Sequence, residues 1–87
     1  MLKFKEKLAN LLSLPKEIAL DLPVVTATGQ GELIIENYKN LIEFTDKTIR
    51  IRTRDGTITI DGNRLILKQI TSENLLIAGR ISGITYD

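Results

Sequence analysis

Arg50, Arg52 and Arg54 alternate with Ile49, Ile51 and Thr53, so in an extended strand three guanidinium groups project from one face. Such a row presents many rigid N–H donors and suits phosphate, lipid headgroups or an acidic partner. It is equally what the solvated face of an antiparallel sheet shows when Glu43, Asp61 or Thr59 stands across from it, and both readings remain open. Beyond that row the chain carries little that reacts. It has no Cys and no His, which excludes a Ser-His-Asp or Cys-His nucleophile, a thiolate or imidazole zinc site, and any disulfide. Gly29-Gln30-Gly31-Glu32 lacks the third glycine, the lysine and the following helix of a phosphate loop, and reads as a hairpin turn. Glu32/Glu36 and Asp55/Asp61 are carboxylate pairs, but neither belongs to a spaced ligand set. The chain reads as a non-enzyme with no cofactor, no metal and no small-molecule substrate, and it is short for a ligand pocket of the usual ~300 Å³ or more.

A second candidate site lies at the N-terminus. Phe4, Leu8, Leu11 and Leu12 recur at helical spacing and form one apolar stripe, with Lys3, Lys5 and Lys7 along its edges. Lysine stems beside such a stripe can lie over apolar surface while their ammonium groups reach water or anionic headgroups, so the stripe is a seat for a membrane or a partner. Packing on the protein's own sheet is the competing reading. A transmembrane helix is excluded, because no apolar run approaches the roughly 20 residues a span needs. Residues 1–16 hold Lys3, Lys5, Lys7 and Lys16 against Glu6, whereas the whole chain of 87 residues carries a net charge of only +1. Nucleic acid is therefore a disfavoured partner, the more so because Phe4, Tyr38, Phe44 and Tyr86 are the only aromatics that could stack on bases. With no signal-peptide pattern and no cysteine framework, the expected compartment is the cytosol.

These candidates must be positioned by two regions, residues 1–22 and 23–87. Ser13 and Leu14-Pro15 end the first helix and start a short second one over 15–21, and Pro23 closes it. Past Pro23 the apolar period changes from helical to alternating. Strands are expected at 24–28, 32–37, 41–45, 48–54, 57–61, 64–70 and 74–86, seven to eight in all if the last is broken. Gly29-Gln30-Gly31, Tyr38-Lys39-Asn40, Asp46-Lys47, Asp55-Gly56 and Gly62-Asn63 supply the turns, Asp55-Gly56 as a type I′ hairpin. Connections this short require antiparallel neighbours. The expected fold is mainly β, an antiparallel meander folded into a sandwich or roll behind the two helices, with a β-solenoid as the alternative. Ile49/Ile51, Ile58/Ile60 and Leu65/Leu67 build the core, joined by Ile42 and Phe44. Beyond Leu75 and Ile77 the phase shifts, which places a bulge near Gly79 or Gly83. Ile34, Ile66, Ile70 and Leu76 fall on the second face, so a helix, a second layer or another subunit is expected to cover part of it. A domain this small has a marginal core, which favours a homo-oligomer.

The segments LPKEIALDLP (14–23), GELIIENYKNLIEF (31–44) and GTITIDGNRLIL (56–67), with IAGRISGITY (77–86) near the end, resemble the YabP/YqfC family of sporulation proteins, nearest its YqfC branch. Asn40 stands where the family commonly has glycine, and asparagine tolerates the same left-handed backbone. The resemblance implies a non-enzymatic protein of endospore morphogenesis in the mother-cell cytoplasm, peripheral to a membrane facing the forespore. It also implies a sporulation membrane protein of the YqfD type as partner. It carries no catalytic or binding residues over to this chain. Three functions follow: a membrane-associated adaptor or assembly factor, a self-assembling ring, filament or coat protein, and, third, a nucleic-acid-binding β-domain using Arg50, Arg52 and Arg54.

Overall fold

The computed structural model describes residues 21–87. The helix expected over 1–12 lies outside this range, as does all of the second helix except Asp21, which sits in a turn. The described chain forms β1 (Val24–Thr28), β2 (Glu32–Glu36), β3 (Tyr38–Phe44), β4 (Thr48–Thr53), β5 (Gly56–Ile70) and β6 (Asn74–Tyr86). They make one open six-stranded sheet in the order β1-β2-β6-β5-β4-β3, with every ladder antiparallel. The β3–β6 segment is a meander, and the β1–β2 hairpin docks on the far edge of β6.

The long strands β5 and β6 are shared by two half-sheets. Residues 66–70 and 75–78 pair with each other and continue through β2 to β1, whereas residues 56–61 pair with β4 and, beyond the bend, with 83–86. Between the halves the ladder loses register three times, at Asp61/Gly62, Asn63/Ile66 and Leu67/Gln69. Gly79 (φ 140°) faces Arg64 (φ 53°) at the centre of this bend. A Cβ on Gly79 would stand 2.7 Å from the Arg64 carbonyl oxygen and 2.9 Å from the Leu65 Cα, so the crossing of the two backbones requires glycine. The phase break expected near Gly79 or Gly83 falls beside Gly83, where the ladder passes from Gly83 to Ile81 and leaves out Ser82.

Bending brings both inner faces onto one core. Leu33, Ile35, Leu75 and Ile77 from one half cluster with Ile49, Ile51, Ile58 and Ile60 from the other, and Leu65 and Tyr38 complete the cluster. Ile35, Ile49, Ile51, Ile60 and Ile77 are wholly buried, each worth about 1.5–3 kcal/mol relative to exposure. Backbone contacts lock the halves. Asn37 and Tyr38 both donate from N–H to the Glu73 carbonyl (2.8 and 3.2 Å), and the Tyr38 hydroxyl donates to the Thr71 carbonyl at 2.5 Å. Leu65 N–H and Gly62 N–H donate to the Asp46 and Lys47 carbonyls, closing the β3–β4 turn on the bend.

Several expectations are corrected. A two-sheet sandwich does not form, because β5 and β6 run through the bend and keep one hydrogen-bonded sheet; a solenoid is excluded by antiparallel pairing throughout the described residues. Gly62-Asn63 lies inside β5, paired with Ile81 and Arg80 between two breaks of register, and is not a turn, which merges two expected strands and leaves six among the described residues. Tyr38-Lys39-Asn40 belongs to β3, and the chain passes from β2 in one half to β3 in the other through a bend at Asn37, at φ 65°. The β4–β5 loop is Arg54–Asp55, one residue earlier than a type I′ turn on Asp55-Gly56 requires, and Asp55 keeps a negative φ. Thr53 fixes this register, since its hydroxyl accepts from Asp55 N–H (3.1 Å) and donates to the Gly56 carbonyl (2.9 Å). Ile42 and Phe44 do not join the core and remain 41% and 46% exposed: the irregularity at Leu41/Glu43 takes Ile42 out of the ladder, and Phe44, opposite Ile49, ends an edge strand.

Candidate interaction surface

The arginine row does not act as one unit. Arg50 stands across from Glu43 on β3 and Thr59 on β5, with its Nη1 3.9 Å from the Glu43 carboxylate. Arg52 is exposed between Asn40 and Thr57. Arg54 has left the strand for the turn, where its Nε lies 3.4 Å from Asp21 Oδ2. Asp21 is a residue that strand periodicity does not single out. Its other oxygen accepts from Lys39 Nζ at 2.9 Å, and this hydrogen bond, helped by the positive charges of Lys39 and Arg54 against some desolvation, holds its carboxyl below the usual carboxylate value. Beside it the Asn37 amide donates to the Leu22 carbonyl at 2.8 Å. Residues 21 and 22 are thus tied to the start of β3 and to the β4–β5 turn.

Around Arg50 the outer face of the β3–β4 half is polar, with Asn40, Glu43, Thr57, Thr59 and Asp61 as ladder neighbours. Thr48 donates to Asp61 Oδ1 at 3.3 Å on the same face. The outer face of the β1–β2 half differs. Thr26, Ile34, Leu76 and Gln69 form one cross-strand row, and Glu32, Ala78 and Ile66 form the next. Ile34 and Ile66 are 40% and 52% exposed although the sheet's core is complete without them. Ile34, Leu75, Leu76, Gln69, Thr71 and Asn74 line a shallow hollow of about 200 Å³, below the ~300 Å³ typical of small-molecule sites. Elsewhere on these strands Lys68 Nζ lies 3.5 Å from the Glu32 carboxylate. This aliphatic face holds the Ile34, Ile66 and Leu76 expected on the second face of the sheet. Ile70, read with them, is 55% exposed opposite Leu75.

The bend exposes a third feature that strand periodicity misses: Asn63, Arg64, Gly79 and Arg80 surround one open polar groove, and Gln30 and Ser82 border the next. The residues of the N-terminal seat, Phe4, Leu8, Leu11, Leu12, Lys3, Lys5 and Lys7, lie outside the described residues. Among the described residues no group of three or more Asp or Glu side chains is arranged to hold a metal ion.

The described residues form one bent six-stranded antiparallel sheet, polar on the outer face of one half and aliphatic on the outer face of the other. In sequence, residues 22–87 match the model of the YabP family, and the chain belongs to that family. It is 30% identical over 84 residues to the uncharacterized protein YqfC of Bacillus subtilis (strain 168), a match covering 97% of this chain and 90% of that one.

Proposed function

We propose that this protein is a non-enzymatic adaptor of endospore morphogenesis, working in the mother-cell cytoplasm against a membrane that faces the forespore. In this reading Phe4, Leu8, Leu11 and Leu12, flanked by Lys3, Lys5 and Lys7, seat the chain on an anionic membrane or in a partner's groove. The β-domain then offers its aliphatic outer face to a membrane protein of the YqfD type. The observation that carries the reading is the exposure of Ile34 and Ile66 beside Leu76 on a sheet that already owns a complete core. Contiguous apolar surface on a finished domain marks a contact surface. Family membership supports the sporulation setting.

The test is flotation of the full chain with vesicles containing anionic lipid, compared with a Leu8→Asp/Leu11→Asp variant. Loss of flotation in a variant that keeps its β-sheet circular dichroism is the expected result. Flotation equal to the wild type would remove the membrane seat.

A further inference from the structure

The two edges of the sheet are built differently. β3, at one edge, has its ladder interrupted at Tyr38/Asn40 and Leu41/Glu43 and carries Lys39 and Glu43. Bulges and charges are standard protection against strand-to-strand pairing. β1, at the other edge, reads Val24-Val25-Thr26-Ala27-Thr28, with no charge, no proline and no glycine, and matches β2 residue for residue without irregularity. Alternate N–H and C=O groups of such an edge point away from the sheet, and among the described residues no strand takes them.

We infer that β1 is a self-pairing edge, at which two copies of this chain join by antiparallel β1–β1 pairing about a two-fold axis at Thr26. Three observations favour a second copy over a foreign strand. The sequence is nearly palindromic in shape: Val24 meets Thr28 of the second copy and Thr26 meets Thr26, so β-branched side chains face each other there, while Val25 meets the small Ala27, and no like charges oppose. A two-fold pairing uses the same edge on both copies and leaves the guarded β3 edges outermost, so assembly closes at the dimer. Val25 already packs against the core while Ala27 on the same side is exposed, and a second β1 extends that inner layer. The outer faces carrying Ile34 and Leu76 then lie side by side on one continuous sheet. Doubling that face deepens the adaptor reading, but the pairing needs neither lipid nor partner. Five residues give an edge of only about 17 Å, which makes the dimer reversible and concentration-dependent.

The absence of cysteine in the chain gives a clean test. Residues facing each other on antiparallel strands have Cα atoms about 4.5–5.5 Å apart, within the range a disulfide spans. The full chain is made as Thr26→Cys and, as a control on the other edge, Asn40→Cys, and both are oxidised mildly without lipid. In parallel, sedimentation of the wild type and Thr26→Lys is followed over a concentration series. The expected results are disulfide dimers for Thr26→Cys at least ~5-fold above Asn40→Cys, and a dimerisation constant weakened ~10-fold or more in Thr26→Lys, where like charges meet on the axis. Equal cross-linking of the two cysteine variants, a wild type that stays monomeric at millimolar concentration, or undiminished dimerisation of Thr26→Lys would each overturn the pairing. Vesicle flotation of Thr26→Lys separates the two readings: retained flotation with lost dimerisation means that the edge pairs and the membrane seat works as a monomer.

Discussion

The outer face around Arg50 and the outer face around Ile34 belong to one sheet and share its two longest strands, yet they end in opposite chemistry. On the β3–β4 half, Arg50 meets Glu43, and Thr57, Thr59 and Asp61 surround the strand with groups that water can satisfy. On the β1–β2 half, Ile34 and Ile66 keep about half their surface in solvent beside a shallow aliphatic hollow. The first face needs nothing further to be stable in water. The second gains by being covered, since apolar area removed from water contributes about 25 cal/mol per Å². The arginine row attracts notice in the sequence, but the uncharged isoleucines are the residues that the fold leaves unfinished.

The sharpest way to break this contrast is to show that the outer isoleucines are core residues after all. Ile60→Ala, at a position with no exposure, should cost about 2–5 kcal/mol in chemical denaturation. Ile34→Ala should cost under about 1 kcal/mol, because a surface substitution leaves no cavity. Similar costs at the two sites would mean that the Ile34 face is already packed.

A second prediction addresses the bend that separates the halves. Gly79→Ala adds a Cβ against the Arg64 carbonyl and the Leu65 backbone at a φ that L-residues rarely adopt, and should destabilise the fold by about 1–3 kcal/mol. Arg64→Gly relieves a left-handed arginine and should be neutral or stabilising by up to about 1 kcal/mol. Thermal denaturation of both variants reads the sign directly, and a stable Gly79→Ala protein would show that the backbones do not cross as closely as described.

The smallest effects belong to the polar half. Replacing Arg50, Arg52 and Arg54 together by Ala should change stability by less than about 1 kcal/mol, because exposed ion pairs contribute little. Salt-sensitive retention of the wild type on single-stranded DNA, lost in this variant, would instead revive the nucleic-acid reading. Asp21 titrates in step with its contacts to Lys39 and Arg54. Its folded pKa is depressed, so its contribution is present above the unfolded value and is lost as pH falls through the folded one. An NMR titration of its carboxyl should give a midpoint below 3.8, moving back up in Lys39→Ala.

Period-two alternation made the core legible: Ile49/Ile51, Ile58/Ile60, Leu65 and Leu75/Ile77 all point inward. The bulge expected near Gly79 or Gly83 is legible for the same reason, since the change of phase between Ile81 and Ile84 demands an extra residue, and the ladder leaves out Ser82 beside Gly83. Connectivity was less so. Gly62-Asn63 has the composition of a hairpin turn, and only pairing with β6 on both sides of it shows that β5 runs straight through. Gly29-Gln30-Gly31 and Asp46-Lys47 lie where composition puts them, whereas the β4–β5 turn falls one residue earlier than Asp55-Gly56 because the Thr53 hydroxyl controls it. Thr45 and Thr71 accept from backbone N–H groups two and three residues ahead, and Thr53 from the one two ahead, a signal carried by TDKT, TRDG and TSEN. Asp21 was missed because its partners, Lys39 and Arg54, are brought to it by tertiary structure.

The most direct measurement of the open-face claim is recruitment of the full chain to vesicles carrying a YqfD-type membrane protein, comparing the wild type with Ile34→Lys/Ile66→Lys. The expected result is recruitment of the wild type above its level on bare vesicles and a loss of ~10-fold or more in the variant, with unchanged circular dichroism and thermal midpoint; two desolvated apolar anchors replaced by charge account for a change of that size. Recruitment of the folded variant at the wild-type level would contradict the claim that this face is the contact surface.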